Sequence, residues 1–182
     1  MADQNRAGRQ HEDDEQEEPQ GPLEIAIVGD LNDRASDITE KLLEVPMDGE
    51  CILYFDSPGG SAYAAMSLLT IIAMRRLNAT GIVTGECSSA ALWPFAACRR
   101  RLVTPFSVLL FHPMKWQSEE HVHHAEATEW ARHFGELEQT MDDVLARYLK
   151  MPRKKLAAWM RPGRYVSGAE FAAEGLAELF EI

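Results

Sequence analysis

A serine that follows a short apolar stretch is the first candidate for chemistry in this sequence. Residues 80–84 are apolar and β-branched, as in a buried strand, and a run that begins small and becomes bulky, as at a helix start, opens at Ala90. A hydroxyl at such a turn lies near free N–H groups and the positive end of the helix dipole, which favour a developing negative charge. The same place suits a serine that merely caps the helix. Ser88 and Ser89 are therefore candidates for a nucleophile or for an N-cap.

A glycine pair and a histidine follow two other apolar stretches. Gly59 and Gly60 come after residues 51–55, and His112 comes directly after residues 107–111. Backbone without Cβ can bring its N–H groups close to a ligand, although two glycines also suit a tight turn. A histidine at a strand end is more often structural than catalytic. Taken with the serine, however, the three features could supply an oxyanion hole, a nucleophile and a base.

The elements that must position these residues alternate between strand and helix. This repetition favours right-handed β-α-β units and an α/β sheet. The pattern predicts strands at 24–28, 51–55, 80–84, 101–104 and 107–111, a turn at 29–33, and helices at 34–44, 62–76 and 89–97.

A long helix is predicted at about 118–150, with an apolar stripe at helical spacing. The stripe is expected to pack on another subunit, since a helix of this length projects from a domain of this size. The stripe consists of Val122, Trp130, Phe134, Leu137, Met141, Leu145 and Tyr148. Pro152 opens a shorter helix to Met160, Ser167 begins a capping box, Gly175 suits a helix C-terminus, and residues 176–182 resemble an edge strand.

Composition limits the classes of partner and the location. The net charge of −11 argues against nucleic acid and anionic membranes as partners. Residues 1–20 are acidic and almost without apolar side chains, which predicts a disordered tail ahead of one domain at 21–182. No apolar run reaches the ~18 residues that span a bilayer. Three cysteines without metal spacing predict reduced core thiols in a cytoplasmic protein.

No metal or cofactor is predicted. His121, His123 and His124 have no ligand partner at i+4. Glu126, Glu129, Asp142 and Asp143 fall on the long helix, where a solvated face is the plain interpretation.

Five segments, in order and at compatible spacing, resemble the ClpP-type serine peptidases of the ClpP/crotonase superfamily over most of residues 23–182. They are Ile25–Gly29 with Asn32-Asp33, Phe55–Ser61 (similar to the family's N-S-P-G-G motif, with Asp56 for the asparagine), Gly85–Ala91, Ser107–His112, and Arg164–Ser167 with Gly175-Leu176. The resemblance implies the fold of that superfamily, with the long helix as the family's handle between two stacked rings.

The resemblance also implies roles at the site. It makes Ser89 the nucleophile and His112 the base, with oxyanion-hole N–H groups from Gly60 and Ala90. Gly163 stands where the family has its triad aspartate. Turnover is therefore expected to be slow, and an aspartate at this position is expected to raise it about tenfold or more. A Ser–Lys dyad with Lys115 is an alternative, although Lys115 is expected to be exposed.

The predicted function is a serine endopeptidase subunit of a homo-oligomeric chamber that hydrolyses peptides or unfolded proteins. An AAA+ unfoldase or a ClpP paralogue is a candidate partner, but the acidic tail does not resemble the family's pore loops. The main alternative is a weak or inactive ring subunit that acts structurally with an active paralogue. An acyl-CoA-handling relative of crotonase fits poorly, because Ser89 and His112 would then be coincidental.

Overall fold

The computed structural model describes residues 21–117 and 121–182. In chain order its elements are β1 (Leu23–Val28), α1 (Leu31–Glu44), β2 (Glu50–Ser57), α2 (Ala62–Met74), β3 (Asn78–Ser88), a 3-10 turn (Ser89–Ala91), α3 (Leu92–Ala97), β4 (Arg100–Val103), β5 (Val108–Phe111), α4 (His124–Leu149), α5 (Arg153–Met160), β6 (Arg164–Ser167), α6 (Gly168–Ala173) and β7 (Glu178–Leu179). The predicted acidic tail at 1–20 lies outside the described residues.

The sheet confirms the predicted α/β fold class. Strands β1, β2, β3, β4 and β7 run parallel in that order. Strand β3 changes partner along its length, since Thr80–Val83 pair with β4 whereas Glu86–Ser88 pair with β5. β6 then pairs antiparallel with β5. The far end of β3 therefore leads into the serine turn beside the strand that leads into His112.

Local capping explains several of the helix ends. The side chain of Asp30 accepts a hydrogen bond from Asn32 N at 2.7 Å, so α1 begins at Leu31 and not at residue 34, and the predicted turn at 29–33 is shorter than expected. Ser167 accepts from Glu170 N at 3.2 Å, as the capping-box pattern predicted. Gly175 follows α6 with φ +73°, a left-handed conformation that favours glycine.

Other boundaries differ from the predicted ones because pairing and packing extend or shorten the elements. β3 reaches Ser88 because its last residues pair with β5. The predicted edge strand at 176–182 is limited to Glu178–Leu179, which pair with β4. The antiparallel strand β6 was not predicted.

The long helix α4 is shorter than predicted. It begins at His124, because residues 121–123 are not helical, and residues 118–120 lie outside the described part of the chain. Its 26 residues extend about 39 Å. The expectation that its whole apolar stripe packs on another subunit is wrong for the C-terminal end, since Met141 and Leu145 are buried in the chain's own core. Nearer the N-terminus, Trp130 and Phe134 are half-buried beneath Trp116.

An aromatic cluster anchors the elements that lead into the site. Phe111, the residue before His112, packs edge-on against Trp159 of α5 with ring centroids 5.0 Å apart. Phe95 of α3 packs in the same manner on Phe55 of β2 at 5.3 Å. Phe171 contacts Phe95, Phe111 and Trp159. These buried rings stabilise the ends of two strands and the helix that follows the serine turn.

The three cysteines are buried and unpaired. Burial raises the pKa of the Cys51 thiol to about 11, and it raises the pKa values of Cys87 and Cys98 as well. Thiols held protonated in this way are poor nucleophiles, as expected of core residues. Among the described helices, none combines the length and the apolar character needed to cross a membrane.

Candidate active site

A cavity of about 410 Å³ brings together four of the residues singled out in the sequence. Gly60, Ser89, Ala90 and His112 all line it. Trp93, Met114, Trp116, Phe134, Met141 and Met160 supply its apolar walls. A bound ligand would therefore contact both the polar cluster and an apolar surface.

Ser89 occupies a strained turn. β3 ends at Ser88 and the 3-10 turn starts at Ser89, whose φ is +53°. A positive φ is uncommon outside glycine and costs on the order of 1–3 kcal/mol in many such sites. The next two residues, Ala90 and Ala91, are buried and hold the turn against the core. No hydrogen bond engages the Ser89 hydroxyl within the described residues.

Ser88 differs from its neighbour in both burial and bonding. Its side chain is 1% exposed, and its hydroxyl donates to Glu86 Oε2 at 2.9 Å. Although Ser88 holds the N-cap position of the turn, its side chain makes no capping hydrogen bond. Of the two adjacent serines, only Ser89 therefore lines the cavity with its hydroxyl unengaged.

The glycine loop packs directly against the serine turn. Gly59 has φ +103°, and a Cβ built on it would lie 2.7 Å from the Ser88 carbonyl oxygen and 2.8 Å from Ala90 N. Gly60 has φ +133°, and a Cβ there would collide with the Asp30 carboxylate. Both positions therefore require glycine.

Two backbone N–H groups of this region are candidates for binding an anion. The Gly59 N–H donates to Ser57 Oγ, whereas that of Gly60 has no hydrogen-bond partner within the described residues. Ala90 N belongs to the first residues of a 3-10 turn, whose N–H groups have no partner inside the turn. The Gly60 and Ala90 N–H groups are therefore suited to donate hydrogen bonds to an oxyanion.

His112 is held by the residue that follows it. Its Nδ1 lies 2.6 Å from the carbonyl oxygen of Pro113. A carbonyl oxygen can only accept, so the hydrogen of the neutral ring is on Nδ1 and Nε2 carries a free lone pair. No hydrogen bond joins His112 to Ser89 within the described residues. The ring nevertheless has the tautomer that a general base for a serine requires.

Gly163 lies beside His112, at the position that the motif register suggested for a triad carboxylate. A Cβ built on Gly163 would lie 3.5 Å from His112 Cβ and 3.5 Å from the Phe111 carbonyl oxygen. Its φ is +125°. Within 21–117 and 121–182, no carboxylate forms a hydrogen bond with the His112 ring.

The carboxylates singled out on α4 have other partners. Glu129 pairs with Arg132 at 2.5 Å, and Asp143 pairs with Arg153 at 2.8 Å. Asp142 was predicted to be solvated, but it lines the cavity, is 5% exposed and binds Arg153 at 2.8 Å. Burial raises the pKa of Asp142, and the charge of Arg153 opposes this effect.

Glu138 is a polar residue of the site that the sequence did not reveal. It lines the cavity, accepts from Met114 N at 2.9 Å and binds Arg161 at 2.8 Å. Its partners lie 24 and 23 positions away, so no local spacing marks it. Lys115 also lines the cavity, on its exposed rim.

No group of three metal-ligating side chains occurs in the part of the chain that the structure describes. A family model, that of the Clp protease family, matches residues 23–179 of the chain. That range includes every strand and helix described above and all the residues of the site. The chain belongs to the Clp protease family.

Proposed function

We propose that this chain is a proteolytic subunit with serine endopeptidase activity, in which Ser89 is the nucleophile and His112 is the general base. The Gly60 and Ala90 N–H groups form the oxyanion hole in this proposal. The observation that carries it is the meeting of these four residues, from three separate strand ends, around one cavity. Membership of the Clp protease family supports peptide or protein as the substrate.

In the acylation step, Ser89 Oγ attacks the scissile carbonyl carbon and its proton passes to His112 Nε2. The carbonyl oxygen becomes an oxyanion, to which the two backbone N–H groups donate hydrogen bonds. The tetrahedral intermediate collapses when the C–N bond breaks, and the imidazolium gives its proton to the leaving amine. The ester formed on Ser89 keeps the N-terminal part of the peptide.

Deacylation repeats this chemistry with water. His112 Nε2 takes a proton from the water molecule as its oxygen attacks the ester carbonyl. The proton then returns to Ser89 Oγ as the acid leaves. The Nδ1 hydrogen bond to Pro113 holds the ring in the same tautomer through both steps.

The assembly in this proposal is a homo-oligomeric ring that encloses the cavities, with α4 as the handle between stacked rings. Trp130 and Phe134 keep part of their surface exposed in one chain, which supports a further contact there. An AAA+ unfoldase or a paralogous subunit is the proposed partner, and the cytoplasm is the proposed location. A single domain is proposed at 21–182, following the acidic residues 1–20.

A second candidate function is an inactive or weak ring subunit that acts structurally beside an active paralogue. Two observations favour it. The first is that the His112 ring has no carboxylate partner within the described residues, and Gly163 is proposed to stand at the position of the triad aspartate. The second is that Ser89 and His112 are not hydrogen-bonded to each other.

Labelling with a serine-directed fluorophosphonate separates the two functions. The peptidase proposal expects one equivalent of label per chain, located on Ser89 by mass spectrometry of the digested protein. Wild-type protein that assembles but takes up no label, while a known serine peptidase in the same tube is labelled, would support the structural subunit instead.

A further inference from the structure

Glu138 and His112 are connected through a single peptide group. The peptide between Pro113 and Met114 offers its carbonyl oxygen to His112 Nδ1 at 2.6 Å. The N–H of the same peptide donates to Glu138 Oε1 at 2.9 Å. The chain of contacts therefore runs from a carboxylate on α4, through one peptide plane, to the imidazole ring.

The structure assigns to Glu138 the role of a positioning residue, which acts on His112 through the Pro113–Met114 peptide in place of a carboxylate bonded directly to the ring. This inference rests on the proposed function for its catalytic meaning. The geometry on which it depends, however, is independent of whether Ser89 is reactive.

Two physical effects follow from this arrangement. A peptide group is planar, so fixing its N–H also fixes the direction of its carbonyl oxygen and hence of the ring that donates to it. Hydrogen bonds in a chain also polarise one another, and a carboxylate acceptor strengthens the acceptor power of the carbonyl at the other end. Glu138 thereby favours the tautomer with hydrogen on Nδ1 and supports the positive charge that forms when Ser89 loses its proton.

Arg161 binds the second oxygen of the Glu138 carboxylate. Its guanidinium holds Glu138 Oε2 at 2.8 Å, which leaves Oε1 directed at Met114 N. Arg161 lies two residues before Gly163, where a Cβ would lie 3.5 Å from His112 Cβ. Glu138 thus joins the segments on both sides of His112 to α4. Among the described residues, the other charged side chains at the cavity are Lys115 on its rim and Asp142, which pairs with Arg153.

The Glu138 side chain is sufficiently buried and bonded to position His112 through the Pro113–Met114 peptide. Its side chain is 20% exposed, compared with 60% for Glu129 and 65% for Glu136 on the same helix. Glu136 pairs with Arg132, and within the described residues its side chain forms no hydrogen bond or ion pair with His112, Met114 or Arg161. Glu136→Gln is therefore a matched control, because it removes the same charge from the same helix.

The test compares wild type, Glu138→Ala, Glu138→Gln and Glu136→Gln by two measurements on the assembled protein. The first is the fluorophosphonate reaction, separated into probe affinity and the rate constant of acylation. The second is the tautomer of His112, read from the ring ¹⁵N and ¹³C shifts in solid-state NMR of histidine-labelled protein. Loss of one signal in His112→Gln assigns the resonance.

We expect Glu138→Ala to lower the acylation rate constant about tenfold or more at unchanged probe affinity, and to convert His112 to a mixture of tautomers. Glu138→Gln should keep more of the rate and of the tautomer, because its amide oxygen still accepts from Met114 N. Glu136→Gln should match wild type. A rate within twofold of wild type together with an unchanged tautomer in Glu138→Ala overturns the inference.

The outcomes also separate this inference from the proposed function. If wild type takes up no probe but Glu138→Ala changes the tautomer, the positioning role stands and the peptidase proposal fails. Should Glu138→Ala not assemble, Arg161→Ala is the second variant. It leaves the Met114 contact in place but removes the group that orients Oε2, so a smaller shift of tautomer in the same direction is expected. An unchanged tautomer in an assembled Arg161→Ala protein would then count against the role.

Discussion

His112 Nδ1 and the Pro113 carbonyl oxygen lie 2.6 Å apart, so the residue that orients the imidazole ring is its own neighbour in the chain. A carbonyl fixes the tautomer as well as a carboxylate does. It carries no net charge, however, and stabilises the imidazolium less. A site built in this way is expected to acylate more slowly than a site with a full triad, but faster than one whose histidine is not oriented.

The first prediction separates the two adjacent serines. Ser89→Ala should abolish fluorophosphonate labelling, because it removes the hydroxyl that lines the cavity. Ser88→Ala should keep more than half of the labelling, since the Ser88 hydroxyl is engaged by Glu86. Mass spectrometry of the labelled peptide provides the measurement. Label that persists in Ser89→Ala and disappears in Ser88→Ala would reverse the assignment.

A second prediction concerns the handle. Trp130→Asp should reduce the particle size measured by light scattering, because it places a charge in the part of the stripe that remains half-exposed in one chain. Ala131→Asp is the matched control, since it adds the same charge at an exposed neighbouring position. If both variants keep the wild-type mass, α4 does not mediate assembly. A wild-type protein that is monomeric at micromolar concentration would exclude the ring.

The third prediction concerns the ion pair between the buried Asp142 carboxylate and the partly exposed Arg153. Arg153→Met should destabilise the protein by about 2–3 kcal/mol at pH 7.5, because a 5% exposed carboxylate loses its partner. Asp143→Asn is the control. It removes the other carboxylate that binds Arg153, and the Asp143 side chain is 71% exposed. The free energy of unfolding should therefore fall by less than about 0.5 kcal/mol.

The loss should depend on pH in a defined direction. Burial raises the pKa of Asp142 above its ordinary value of 3.8, so the native state binds this proton more readily than the unfolded state does. The stabilisation that protonation of Asp142 gives to the native state is complete below the ordinary pKa of 3.8. It is lost as the pH rises through the raised pKa of Asp142 in the folded protein. Arg153 opposes the rise in this pKa, so in Arg153→Met the pKa of Asp142 lies higher than in wild type and the variant takes up the proton first as the pH falls. The deficit of Arg153→Met in urea unfolding should therefore shrink between pH 7.5 and pH 5. A deficit that grows on acidification contradicts this account.

The sequence predicted the alternation of strands and helices because buried parallel strands and helix caps leave local patterns, as at residues 80–84 and Ser167. It did not predict β6, whose short segment is a strand only because β5 lies beside it. It placed Ser89 and His112 at strand ends for the same local reasons. The place of Glu138 in the site and the burial of Asp142 could not be predicted from the sequence, because both depend on contacts between α4 and distant segments.

The last prediction concerns Gly163. From the sequence, an aspartate here was expected to raise turnover about tenfold or more. The φ of +125° argues against an easy fit, because aspartate tolerates the left-handed region near +57° and not this one. There is room for a Cβ at 3.5 Å from His112 Cβ, but the backbone must rotate at a cost of about 1–3 kcal/mol. The Nδ1 hydrogen is in addition already bound by Pro113.

We therefore expect Gly163→Asp to change kcat/KM for a short peptide by less than about threefold and to lower the urea midpoint. Gly163→Ala is the matched control, since it imposes the same backbone strain without a carboxylate. A tenfold rise in Gly163→Asp that is absent from Gly163→Ala would mean that the new carboxylate displaces Pro113 from the ring. In that case the missing charge limits the wild-type rate, and the Pro113 carbonyl is only a partial substitute. A loss of kcat/KM of equal size in Gly163→Asp and Gly163→Ala would instead assign the effect to the backbone alone.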